Sequence, residues 1–211
     1  MITHFIFHSK KQLKKGKHVL PLRTSRHTMH KDILQILVTE SEIAQLAQKL
    51  GQKINEDYHD KHPILIGLLK GCVPFLSDLS RHIDLKVDMA YMSVSSYHGG
   101  IKSSGDVNIK MDLDISVHGR HVLIVEDIVD TGNTIVTIVE LLKHRGALSV
   151  EIVTLLDKPE GRTKPYVPKY VGKTIPKLFV VGYGLDYEEY YRNLPYVGVL
   201  KPEVYSTKEN D

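Results

Sequence analysis

Apolar residues Ile43, Leu46, Ala47, Leu50 and Ile54 recur at helical spacing, and Thr39-Glu40-Ser41-Glu42 upstream has the form of a capping box. The spacing predicts one amphipathic helix with Thr39 as N-cap, Glu42 at N3 and an end near Tyr58. Pro63 then opens Ile64-Leu65-Ile66-Gly67-Leu68-Leu69, an unbroken apolar run of strand length, which predicts a strand buried on both faces. After Lys70-Gly71 a helix is expected from Val73 to Ile83, then a β-like run from Val87 to Ser95. Between Ser95 and Asp106 the chain is polar and glycine-rich, as functional loops are, with Val107 to Met111 as the returning strand. His121 to Val125 predicts another buried strand and Thr134 to His144 a helix; Val150 to Leu156, Leu178 to Val181 and Val197 to Leu200 read as further strands. Strands alternating with helices predict an α/β fold, a twisted and mostly parallel sheet with helices on both faces.

Composition adds limits to this picture. A chain of 211 residues, 42% apolar and 25% charged, suits one globular domain. No run approaches the ~18 apolar residues of a membrane span. The single cysteine, Cys72, excludes an internal disulfide framework and suits a reducing compartment; it is expected to be packed and inert. The net charge of +3 conceals an asymmetry: residues 1–28 hold seven Lys and Arg and no acid, so residues 29–211 carry 3 − 7 = −4. Residues 1–28 are therefore expected to be a disordered basic extension and 29–211 the domain; a targeting peptide and a translation start at Met29 are the alternatives. The four histidines of the extension are scattered and are not read as a metal site, and the acidic body offers no footprint for nucleic acid.

The candidate chemistry lies after the His121–Val125 run. That strand delivers Glu126 and Asp127 to the carboxyl edge of the sheet, where open α/β folds bind ligands. Asp130-Thr131-Gly132-Asn133-Thr134 follows as a turn at a helix N-terminus, whose free N–H groups and dipole suit a phosphate dianion. Gly132 permits close backbone approach, and the Thr131 and Thr134 hydroxyls add donors. Paired acids beside a phosphate loop suit a ribose, whose vicinal hydroxyls can donate to them. No Gly-x-x-x-x-Gly-Lys-Ser/Thr pattern is present, so a sugar phosphate fits better than a nucleoside triphosphate. The plain alternative is that Asp130-Thr131-Gly132 only turns the chain and caps the helix.

Val122 to Thr134 resembles the phosphoribosyl-pyrophosphate signature of the type I phosphoribosyltransferases. Over about residues 31–205 the chain is similar to the 6-oxopurine branch, the bacterial-type hypoxanthine phosphoribosyltransferases. The matching segments are Leu68 to Gly71, Ser95 to Tyr97, Leu155 to Arg162, Phe179 to Tyr187 and Arg192 to Tyr196. The resemblance implies a small hood beside the sheet and a purine-salvage glycosyl (pentosyl) transfer. The 5-phosphoribosyl group would pass from its pyrophosphate donor to N9 of hypoxanthine or guanine, giving inosine or guanosine monophosphate and pyrophosphate.

The resemblance also implies roles for individual residues. Glu126 and Asp127 would hold the ribose 2′- and 3′-hydroxyls and a magnesium ion. Asp130, Thr131, Gly132, Asn133 and Thr134 would clasp the 5′-phosphate, with Asp130 also facing purine N7 as general acid–base. Lys158 would donate to purine O6, Phe179 would stack on the ring, and the Val180 backbone would meet the base edge. Lys70, after a cis peptide, would bind pyrophosphate with Gly71, Ser96, Tyr97 and Arg192, and Asp186 would hold a second magnesium. Ser96 and Tyr97 would close over the reaction centre and exclude water. Read without the family, Lys158 is a solvated loop lysine, Phe179 a core aromatic, and Asp186 with Arg192 a surface pair. The family further implies a cytoplasmic homodimer or homotetramer whose partners are small molecules, with neither nucleic acid nor membrane among them. The rivals are a different base (xanthine, uracil or orotate) and a regulatory protein that keeps the donor site and binds nucleic acid. A third is a basic tail that docks to an acidic partner.

Overall fold

A computed structural model describes residues 28–96 and 107–206. The basic extension and Tyr97, with most of the glycine-rich loop, lie outside the described residues. The elements run α1 (Thr28–Lys31), β1 (Ile33–Val38), α2 (Glu40–Asp57), β2 (Ile64–Leu69), α3 (Val73–Ser80), β3 (Asp88–Ser96) and β4 (Val107–Met111). They continue through β5 (His121–Val129), α4 (Asn133–His144), β6 (Ser149–Asp157), β7 (Tyr170–Thr174), β8 (Val180–Val181), β9 (Val197–Leu200) and α5 (Pro202–Tyr205).

Six strands form the main sheet in the order β4-β3-β2-β5-β6-β7, parallel except for β4. Its central strands are apolar on both faces because both are covered. Leu65, Leu123, Val125 and Val153 pack with Ile43, Leu50, Phe75 and Leu76 of α2 and α3. The alternate residues Ile64, Ile66, Val122, Ile124 and Ile152 pack with Ile135, Ile138 and Leu142 of α4. Each fully buried side chain of this kind stabilises the fold by roughly 1.5–3 kcal/mol.

The second sheet, β1-β9-β8, is antiparallel and forms the small hood. One of its faces joins the main core through Val180, Val197 and Val199. The other gathers Val181, Leu200, Tyr191, Leu194 and Tyr196 into a separate cluster. The Tyr183 hydroxyl donates to Asp78 of α3 at 2.7 Å, tying hood to sheet. The expected fold class is thus the observed one.

Several boundaries differ from the sequence expectation. Helix α3 stops at Ser80, short of Ile83, and the run from Leu178 forms a strand only at Val180–Val181. Strand β5 continues past Val125 to Val129, so Glu126 and Asp127 lie within it and Glu126 pairs in register with Thr154 of β6. Strands β1 and β7 were not expected. Cys72 is fully buried and its thiol is pushed up to about 12 by that burial, with Glu126 and Asp127 adding to the effect. That is the inert condition expected of it.

Helix α2 begins as its capping box requires. The Thr39 hydroxyl accepts from Glu42 N–H at 3.2 Å, and Thr39 N–H donates to Glu42 Oε2 at 2.8 Å. Thr39→Ala leaves both ends of this exchange weakened and should cost about 1 kcal/mol. Urea titration should give a lower midpoint with an unchanged slope; an unchanged midpoint would mean that the box contributes nothing.

Candidate active site

The chain reverses direction across the sheet between β2 and β5. From β2 the next strand is added on one side, as β3, and from β5 on the other, as β6. This is a topological switch point, the place where open α/β sheets bind ligands. The two strands stay paired only from Ile64–Val122 to Gly67–Val125, then part. Beyond Val125, β5 keeps β6 as its neighbour and faces a crevice on the side that β2 has left. A cavity of ≈ 270 Å³ occupies that place, lined by Gly71, Glu126, Asp127, Asp130, Thr131 and Gly132 among others.

The two acids in this crevice carry an unfavourable charge arrangement. Burial holds the Glu126 carboxyl well above the usual carboxylate range, and adjacent Asp127 adds to it. Burial also pushes Asp127 up to about 6, against a hydrogen bond from Ile128 N–H at 2.8 Å and the nearby Arg192 charge. Neither acid forms an ion pair among the described residues. Oxygen donors lacking a cation suit hydroxyl donors or a hard divalent ion. No cluster of three or more metal-binding side chains exists among the described residues. A divalent ion here would therefore complete its shell with ligand and water oxygens, as magnesium commonly does.

The turn after β5 is shaped for an anion. Gly132 is the N-cap of α4 with φ 81°, a left-handed conformation that favours glycine, and it offers no capping side chain; Thr131 Oγ1 accepts from Asn133 N–H at a long 3.4 Å. Asp130 does not cap it. Its carboxylate instead pairs with Lys158 Nζ at 2.5 Å, and the Lys158 side chain is only 12% exposed. The segment after Lys158 is fastened over the turn. Thr131 O accepts from Thr163 N–H at 2.9 Å and Lys164 N–H at 3.2 Å. Thr163 Oγ1 reaches Asn133 Oδ1 at 3.0 Å, and Lys158 N–H donates to Val129 O at 3.0 Å. Arg162 pairs with the buried Asp157 at the end of β6. Thr134 lines the cavity at the start of α4.

A second group adjoins Asp127. Gly71 lies so near that a Cβ there would land on the Asp127 carboxylate, so only glycine fits that approach. The Leu69–Lys70 peptide is cis. Lys70 Nζ pairs with Glu189 at 2.9 Å, and Arg192 pairs with Asp186 at 2.8 Å and Glu189 at 3.3 Å. Arg192 Nη1 also donates to Gly184 O at 2.7 Å. Asp186 uses its other oxygen to accept from Glu189 N–H at 2.9 Å. Both Asp186 oxygens are therefore engaged by the protein, which is the surface-pair arrangement.

On the hood side, Lys158 Nζ also donates to Leu178 O at 3.4 Å, which joins it to the residue preceding Phe179. Phe179 is 41% exposed, not a core aromatic, while Val180 is buried. Ser96 ends β3, paired with Val107, and Tyr97 lies outside the described residues. Sequence reasoning gave no role to Thr163, Arg162 or Glu189. Arg162 stands inside a segment quoted for the family resemblance, but nothing in the spacing announces Glu189.

The comparisons with known proteins agree with this geometry. The model of the phosphoribosyl transferase domain matches residues 34–188. A hypoxanthine-guanine phosphoribosyltransferase of Lactococcus lactis subsp. lactis is 57% identical over 178 residues, covering 84% of this chain and 97% of the relative. One of Streptococcus pneumoniae is 55% identical, covering 84% and 99%. A crystal structure of a hypoxanthine phosphoribosyltransferase from Staphylococcus aureus has a TM-score of 0.83 at 51% identity, covering 86% of this chain and 98% of that one.

The strained carboxylates give a stability test. Asp127 has a folded pKa of about 6, above its unfolded value near 3.8. The folded state therefore binds more protons between those values. The group's contribution is most favourable below its unfolded pKa and is lost as pH rises through about 6. The loss is on the order of 2–3 kcal/mol. In metal- and ligand-free protein, Asp127→Asn should melt higher than the wild type at neutral pH, with the gap closing towards pH ~4. A variant that melts lower at neutral pH would overturn this account of the crevice.

Proposed function

This chain belongs to the phosphoribosyl transferase domain family, and from that premise we propose that it is a purine-salvage enzyme. It transfers the 5-phosphoribosyl group from phosphoribosyl pyrophosphate to N9 of hypoxanthine or guanine, releasing inosine or guanosine monophosphate and pyrophosphate. The observation that carries this reading is the mostly buried Lys158 paired with Asp130 beside the two acids of β5.

Glu126 and Asp127 accept from the 2′- and 3′-hydroxyls of the ribose, which supplies the donors their crevice lacks. The turn from Asp130 to Thr134 receives the 5′-phosphate on its backbone N–H groups and the Thr131 and Thr134 hydroxyls. Lys158 donates to a 6-oxo group. Adenine presents an amino donor there, and a buried mismatch of two donors is costly. Asp130, paired with Lys158, accepts the purine N7 proton as N9 attacks the sugar. Phe179 stacks on the base, and the backbone of Val180 meets its edge. Lys70, Gly71, Ser96, Tyr97 and Arg192 bind the leaving pyrophosphate, Arg192 through its forked guanidinium. Catalysis then rests on orientation and on charge complementary to an oxocarbenium-like sugar.

Glu126, Asp127 and Asp186 are the residues that would hold magnesium, and their oxygen chemistry fits it. Magnesium, when bound, neutralises charge on the departing pyrophosphate. The domain spans 29–211 and works in the cytoplasm; no described helix is long and apolar enough to cross a membrane. The family resemblance further gives a homodimer or homotetramer, with small molecules as the substrates.

Purified protein with donor and magnesium should form nucleotide from hypoxanthine and guanine, and little or none from adenine or uracil. Chelation of the metal should stop turnover and added magnesium restore it. No product from the first two bases would sink the proposal. Asp130→Asn should slow turnover by at least about tenfold with donor binding largely kept. Unchanged turnover would remove Asp130 from the chemistry.

A further inference from the structure

The exposed ring of Phe179 is not left to itself. Tyr205 lies nearly parallel to it, with centroids 4.9 Å apart and planes 22° from coplanar. Tyr187 meets it at 5.7 Å and 83°, an edge-to-face contact. Both geometries are favoured between aromatic rings.

Tyr205 closes helix α5, and the backbone on either side of that helix's start is tied down. Leu200 N–H donates to the carbonyl of Phe179 itself at 3.0 Å. Lys201 N–H donates to Asp32 O at 2.9 Å, and Val204 N–H to Lys201 O at 3.0 Å. Tyr205 and Val204 pack on the outer hood cluster of Val181, Leu200 and Tyr196. Along β8 the side chains alternate: Val180 enters the main core and Val181 the outer cluster. Phe179 stands two residues before Val181, the spacing of one strand face, and Tyr205 meets it from the outer cluster's side. The chain thus returns 26 positions later to set a second ring on the aromatic proposed to hold the base.

We infer that Tyr205 is a positioning residue for the acceptor base. It covers one face of Phe179 and fixes the ring's tilt, so the purine stacks on the face that remains open, as the third layer of a Tyr205–Phe179–base stack. The inference rests on the reading of Phe179 as the base-stacking ring. No chemistry is asked of the tyrosine hydroxyl, so phenylalanine should serve equally well. The contribution of one such ring contact corresponds to about two- to tenfold in acceptor affinity.

The test is a double-mutant cycle on the full chain, with KM for hypoxanthine, KM for the donor, kcat and melting temperature measured for each protein. Tyr205→Ala should raise KM for hypoxanthine by about two- to tenfold, with donor KM and kcat close to wild type. Tyr205→Phe should restore the wild-type hypoxanthine KM. In a Phe179→Leu background, Tyr205→Ala should have no further effect on that KM. An unchanged hypoxanthine KM in Tyr205→Ala would overturn the inference. A lower one would do so too, since it would mean that Tyr205 occupies the base's own place. Equal rises with and without Phe179 would reduce Tyr205 to general support of the hood. If Phe179→Leu alone leaves hypoxanthine KM unchanged, the assignment of Phe179 fails, and this inference with it.

Discussion

Two adjacent carboxylates on the central strand, set where the sheet splits, impose the conditions that the surrounding loops meet. Ionising Glu126 and Asp127 together in that crevice is unfavourable, from desolvation first and mutual repulsion second. The folded chain provides only partial relief. Asp127 receives one backbone hydrogen bond and the more distant field of Arg192. An ion pair made inside the crevice would remove the strain, and it would also fill the place proposed for the ribose. The protein instead leaves both acids without an ion-pair partner among the described residues and lets Gly71 approach Asp127 without a side chain. On the proposed reading, stability given up locally would be recovered on binding, a trade common at functional sites.

Asp130 and Lys158 are handled in the opposite way. Here the mostly buried Lys158 has a partner at 2.5 Å, and removing Asp130 would strand it. The pair also links the two segments proposed to receive the phosphate and the base. Asp130 opens the phosphate turn, Lys158 follows β6, and bonds from Thr163 and Lys164 to Thr131 fasten the segment after Lys158 over that turn. The Arg162–Asp157 pair anchors the same segment at the end of β6. The group proposed to recognise the base and the turn proposed to receive the phosphate are therefore one mechanical unit. On that reading, a base whose edge disturbs Lys158 would disturb Asp130 with it.

Much of this was legible in the sequence because it rests on local chemistry. The capping box of α2, the doubly apolar β2, and the strand–acids–turn–helix order around Glu126 each depend on residues close together in the chain. What could not be read depends on long-range pairing. Strand β1 is an edge strand with Leu34 and Ile36 exposed, so its apolar residues do not report burial. Strand β7, Tyr-Val-Gly-Lys-Thr, has no alternation and is held by pairing with β6. Read alone, Phe179 looked like core; it is open on the surface because its neighbours are other aromatics at the hood edge. The reading of Asp130 as a cap failed for a clear reason. Gly132 takes the N-cap position, while the Asp130 carboxylate is turned to Lys158.

The division between sheet and hood separates two kinds of demand. The proposed donor site lies on β5 and the turn before α4, a framework whose strand is buried on both faces and tolerates little movement. The proposed acceptor site lies on the short β8 and the residues before it, supported by α5 and by the Lys158–Leu178 contact. A two-residue strand contributes few ladder bonds of its own, so its geometry depends on what packs against it. The aromatic surroundings of Phe179 therefore have a structural reason to exist apart from hydrophobic burial, since they hold a surface-exposed ring in one orientation. If Phe179 holds the base as proposed, base preference would accordingly be easier to change at the hood, by altering what supports that ring, than at β5. There, any change in shape also alters a pair of carboxyls whose ionisation burial already opposes.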